Sequence, residues 1–188
     1  MKRFTDFIER NLSGKKVLAL FVLTNIFYVF MLTVTIPQTM NFSNGMALLD
    51  MMPTGYDLGY VSELFSSLGE EGRNTYLTNQ VPVDMLYPFL FGFSYSLLLA
   101  YFLKKLGKLK TPFTYLCLLP IIAGIADYAE NFGIINLLKS YPDLTETAVK
   151  TTSAFSLVKS ISTSAFFIVL ILVLMVLGIK TIGRKKRI

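Results

Sequence analysis

Apolar residues gather along this chain into four long blocks, residues 17–36, 85–103, 112–138 and 152–179, and most of the charge falls between them. Each block is long enough to cross a hydrocarbon layer, for which about 20 residues suffice at about 1.5 Å of rise apiece. Backbone amides in lipid must pair within their own segment unless a barrel closes, and these blocks lack the alternation of barrel strands. The pattern therefore predicts an all-α membrane protein, a four-transmembrane-helix bundle forming a single membrane domain over residues 1–188. Residues 1–14 place Phe4, Phe7, Ile8 and Leu12 at helical spacing among charges, which predicts an inner interfacial helix.

The longest connection, residues 37–83, starts irregular and then turns periodic. Leu58, Val61, Leu64, Phe65 and Leu68 recur at three and four, predicting a short amphipathic helix that caps the bundle. Gly69 is expected to end that helix and residues 70–80 to form another, with Pro82 leaving the join to the second span open. Residues 139–151 are too short for anything but a link between antiparallel neighbours.

Charge sets the expected orientation, because Lys- and Arg-rich loops are retained on the cytoplasmic side. Of 18 such residues, five precede the first span, four (Lys104, Lys105, Lys108 and Lys110) lie between the second and third, and five follow the fourth. Both termini are thus expected in the cytoplasm of a multi-pass protein of the bacterial inner membrane, with the cap extracytoplasmic. The net charge of +6 follows from that topology and from attraction to anionic lipid, not from nucleic-acid binding. The first block has no cleavage site behind it and is expected to be a retained span. A single cysteine, Cys117, and no histidine or tryptophan exclude paired-thiol, His-ligand and His-based nucleophilic chemistry. No cofactor is expected and no spacing matches a metal motif, though a carboxylate cluster binding Mg2+ or Ca2+ through oxygen ligands is left open; acid–base work falls to carboxylates, lysine or tyrosine.

The third span holds the sharpest chemical signal. Asp127, Glu130 and Asn131 stand at i, i+3 and i+4 and share one helix face, with Pro120 and Gly124. By helical rise, Glu130 and Asp127 lie about 12 and 18 Å below the outer end of their helix, and Lys159 about 12 Å below that of the fourth. Lys159 is thus level with Glu130, and an ion pair with Glu130 or Asp127 is the simplest arrangement, since unpaired charge in hydrocarbon costs several kcal/mol. Thr152, Ser156, Lys159 and Thr163 make a polar stripe on the fourth span, Asn25 and Tyr28 a pair on the first, and Asp84, Tyr87, Phe91 and Ser94 a face of the second. Arg73, Tyr76, Gln80 and Asp84 would continue that face upward if the helix is unbroken. Arg73 would then pair with Asp84 or hold an anionic head group.

Gly72-Arg73 with Tyr76, Asp84 with Tyr87-Pro88, Asp127 with Glu130-Asn131, and Lys159 together resemble an uncharacterised family of bacterial four-helix integral membrane proteins with no established activity. The resemblance covers residues 55–165. At fold level the chain is also similar to the sterol isomerase and sigma-2 receptor group, which bind lipophilic molecules between helices using buried acids, though it departs from them in lacking His and Trp.

The expected function is binding of a lipid-like or amphiphilic small molecule in a buried polar pocket of the outer-leaflet half, with acid–base catalysis left open. Asp127, Glu130 and Lys159 are the catalytic candidates. The ligand-binding candidates are Arg73, Tyr76, Asp84, Tyr87 and Asn131, joined by Asn25, Tyr28, Ser156 and Thr163. Two alternatives stand beside this reading: a small proton- or ion-coupled transporter, and an accessory subunit whose polar groups only hold helices together. Membrane lipids are the expected partners, and the number of copies is left open.

Overall fold

The computed structural model describes residues 12–110 and 112–185, so the interfacial helix expected at residues 1–14 lies almost wholly outside the described residues. The chain is an all-α bundle containing four helices long and apolar enough to cross a membrane. These are α1 (Gly14–Met40), α3 (Tyr87–Leu106), α4 (Leu119–Ser140) and α5 (Glu146–Lys185), while α2 (Leu58–Thr75) caps one end. Lys15, Lys16, Lys104, Lys105 and Lys180 collect at the opposite, basic end.

The helix ends differ from those read off hydropathy, for local reasons. The Ser13 hydroxyl accepts from the Lys16 amide and starts α1 before the apolar run begins. At its far end α1 continues beyond Pro37 to Met40, because residues Met31–Thr35 form a π turn in which the Ile36 amide donates to Met31. The same device recurs after α2. Tyr76–Gln80 is a π turn, the Val81 amide donates to Tyr76, and Pro82 follows in the first turn of the short helix Val81–Asp84. Widening a turn by one residue before each proline loosens the ladder where the proline has no amide to donate. Gly69, with φ +62°, is non-helical and divides α2 into two helical pieces across a kink, as its position in the sequence leads one to expect. Before α4, residues Pro112–Leu118 are a 3-10 segment, so the α-helix of the third span starts later than its hydropathy.

Asp57 caps α2 by accepting from the Tyr60 amide at 2.8 Å. The helix buries Val61, Leu64, Phe65 and Leu68 against Leu48, Leu49, Ile134 and Leu137, an apolar core at the capped end. A second core at the basic end joins Val17, Leu99, Leu103, Cys117 and Phe166. The main seams run α1 to α3, α3 to α4, and α4 to α5, with α3 also touching α5. No comparable seam joins α1 to α5.

Glycine sets the closest of these approaches. A Cβ on Gly124 of α4 would lie 2.7 Å from the Pro88 carbonyl oxygen of α3, and Gly92 faces the Pro120 carbonyl across the same crossing. Lipid offers helices no hydrophobic drive to associate, so contact between small residues supplies the packing energy. Gly124→Leu is therefore expected to destabilise the detergent-solubilised protein by about 1–3 kcal/mol, the usual cost of overpacking. Gly178→Leu, where nothing lies within 4 Å, should leave the melting temperature unchanged.

Candidate functional site

On α4, on α5 and in the short helix that leads into α3, polar residues stand between the two apolar cores. On α4, Asp127, Glu130 and Asn131 fall between Ala123 and Ile134; on α5, Ser156 and Lys159 fall between Val149 and Phe166; Asp84 falls between Val81 and Phe91. Glu130 and Asn131 are fully buried, and Asp127 and Asp84 nearly so.

Lys159 organises this layer. Its ammonium meets Asp127 Oδ1 at 3.2 Å, contacts Glu130 Oε2, and donates to the backbone carbonyl of Asp50 at 3.2 Å. The second Glu130 oxygen accepts from Ser156 at 2.6 Å. Because α4 and α5 are antiparallel, equal depth from their shared link brings Lys159 level with Glu130, and one helical turn reaches Asp127. Gly133 lets the helices close: a Cβ there would lie 2.3 Å from the Thr152 hydroxyl.

The Asp50 contact comes from an irregular segment that no helical period places. Residues Leu49–Met51 form a 3-10 turn that dips into the mouth of the bundle. Its Asp50 carboxylate accepts from the Tyr76 hydroxyl at 2.6 Å and from Gln80 Nε2 at 2.8 Å, while Gln80 Oε1 accepts from Thr35. One chain of bonds thus links α1, the connection, the π turn after α2, and α5. The sequence held a trace of this, since Asp50 is the sole charge in the apolar run from Met46 to Pro53. Gly55 lets the same segment lie on α5, with φ +80° and a position where a Cβ would be 2.5 Å from Ser153 Oγ. The next residue, Tyr56, donates its amide to that hydroxyl at 2.9 Å. Burial pushes the Tyr56 phenol well above its ordinary value, and the nearby Glu130 carboxylate adds to this, so Tyr56 enters the site as a neutral hydroxyl.

Beside the Lys159 cluster is a cavity of about 410 Å³. Asp84, Asp127 and Lys159 form its polar side, Met31, Ile36 and Phe91 part of its apolar side, and Asp50, Met51 and Pro53 its roof. Leu32 of α1 and Ser164 of α5, both exposed, border it where those two helices share no main seam. The cavity is therefore flanked by the gap between the first and last spanning helices.

The expected site residues divide accordingly. Tyr28, Asp84, Tyr87, Asp127, Lys159 and Thr163 line the cavity, and Glu130 and Ser156 stand behind Lys159. Tyr76 reaches the site only through Asp50. Asn131 is buried beside Asp84, though neither of its amide atoms has a partner in hydrogen-bond geometry. Two residues are elsewhere. Asn25 lies a turn toward the basic end, donating to the Phe21 carbonyl and accepting from Tyr95. Arg73 donates to the Phe65 carbonyl at 2.7 Å and stacks on Tyr141 at 4.4 Å, so it neither pairs with Asp84 nor faces the cavity. The non-helical geometry at Gly69, between Phe65 and Arg73, interrupts the helical pairing there, and the π turn at Tyr76–Gln80 breaks the phase of the stripe beyond Arg73.

Among the described residues, no group of three or more His, Cys, Asp or Glu is placed to hold a metal ion. Compared with protein-family models, with curated proteins and with solved structures, the chain has no match.

Removing Lys159 leaves two buried carboxylates without their counter-ion. Lys159→Met is expected to lower stability by about 3–5 kcal/mol, the range for breaking a buried pair from one side. Adding Asp127→Asn and Glu130→Gln should restore much of that loss in thermal unfolding of the detergent-solubilised protein.

Proposed function

We propose that the chain binds an amphiphilic small molecule in the cavity beside Lys159, drawn from the surrounding lipid through the gap between α1 and α5. The observation that carries this reading is the cavity's two-sided lining. Carboxylates and an ammonium stand on one side and Met31, Ile36 and Phe91 on the other, next to a gap between helices. A polar head group with an apolar tail satisfies both sides together, whereas a wholly polar solute would leave the apolar wall unmatched. The volume falls in the range usual for sites of small organic ligands, about 300–1,000 Å³.

In this reading both termini and the basic end lie in the cytoplasm, and α2 with the 41–57 segment forms an extracytoplasmic roof. The support is the concentration of lysine at one end of the bundle.

Thr163 lines the cavity from α5, and Thr163→Phe should fill it while leaving the Lys159 cluster intact. Native mass spectrometry with lipid identification is expected to show a species held by the wild-type protein and absent from Thr163→Phe. Identical bulk lipid on both proteins would count against the site. For orientation, a membrane-impermeant maleimide applied to intact cells should label Glu63→Cys but not Lys104→Cys, each in a Cys117→Ser background. The reverse pattern would invert the topology.

A further inference from the structure

The charges around the cavity are not balanced, and the imbalance specifies a head group. Lys159 has three ammonium hydrogens. The ammonium is already engaged by three oxygens of the protein, in hydrogen bonds to Asp127 Oδ1 and the Asp50 carbonyl and in an ion pair with Glu130 Oε2, an arrangement that disfavours an anionic ligand. Arg73 faces away from the cavity, bound to Phe65 and Tyr141. The Asp50 carboxylate is taken up by Tyr76 and Gln80, both neutral donors.

Asp84 is different. It lines the cavity at 4% exposure, and among the described residues no cation lies within ion-pairing distance of it. The polar neighbour on its protein side, the Asn131 carboxamide, is neutral and brings no counter-charge. A buried carboxylate in that position carries charge only at a high cost unless a cation joins it.

The apolar side of the cavity supplies an independent indication. Tyr28 stacks on Tyr87 with ring centroids 5.5 Å apart, and Tyr87 continues to Phe91 at 5.8 Å, all three rings lining the cavity next to Asp84. Negative aromatic faces beside an uncompensated carboxylate make an environment for an organic cation.

We propose that the amphiphile taken by this cavity carries a cationic amine head group, bound by Asp84 against the Tyr28–Tyr87–Phe91 wall. This rests on the cavity being an amphiphile site at all. It narrows that reading to one charge class and gives Asp84 a role separate from the Asp127–Glu130–Lys159 cluster.

The test uses the full chain in lipid nanodiscs and three probes of equal tail length: hexadecylamine, hexadecanol and hexadecyl phosphate. Binding is read by native mass spectrometry and by the shift in melting temperature. The wild-type protein should bind the amine at least about tenfold more tightly than the alcohol, with the phosphate weakest. Asp84→Asn should abolish the preference for the amine over the alcohol, and Asp84→Glu should retain it. Equal binding of amine and alcohol by the wild type would overturn the head-group assignment and leave the amphiphile site standing. Tighter binding of the phosphate would overturn it in favour of recognition through Lys159. Binding of none of the three would remove both.

Discussion

Lys159 sits in an apolar bundle with two carboxylates of the neighbouring helix, and neither side of that arrangement is tolerable without the other. The ammonium would otherwise be driven to lose its charge, and Asp127 and Glu130 would be left as buried anions. Meeting the condition fixes the sliding register of α5 on α4. It also fixes how close the two helices come, which Gly133 permits opposite Thr152. The third ammonium hydrogen reaches the Asp50 carbonyl and so holds a connecting segment at the mouth of the bundle. Helix pairing and roof placement are thus two results of satisfying one charged group.

This polar layer separates two apolar cores and contributes little net stability by itself, because an ion pair withdrawn from water regains in attraction roughly what desolvation costs. What it supplies is definition. Apolar helix faces slide past one another with small penalties, whereas a displaced Lys159 would strand three charges. A cavity adjoining such a layer keeps its shape, since the groups on its polar side are already held by one another. Preorganisation of that kind lowers what a ligand must spend in ordering its own site.

The regular parts of this arrangement were open to reading from sequence because helical rise and period are nearly constant. Counting inward from the short link between the last two spans puts Lys159 level with Glu130, and the i, i+3, i+4 spacing puts Asp127 and Asn131 on the same face. The method fails where period is lost. A stripe of Arg73, Tyr76, Gln80 and Asp84 requires unbroken α-helix from residue 70 onward. The π turn at Tyr76–Gln80 shifts the phase inside that stretch. Asp50 escaped because no periodicity governs an irregular connection, and only its isolation among apolar neighbours marked it. Span boundaries drifted for a related reason: hydropathy records where lipid begins, while capping by Ser13 and the widened turn before Pro37 decide where the helix begins and ends.

The two π turns also act as angular offsets. An α-helix advances each side chain by about 100° about its axis, so one extra residue in a turn rotates everything beyond it by that amount. The turn at Tyr76–Gln80 lies between the side chain that fastens the roof and the one that forms the cavity wall, Tyr76 and Asp84. Its partner at Met31–Thr35 ends on the Thr35 that bonds Gln80. The relative bearing of roof and wall is therefore encoded in a residue count. Losing one position from that turn would leave every polar group of the site in the chain and still point Tyr76 and Asp84 in directions that no single packing of the bundle could satisfy together.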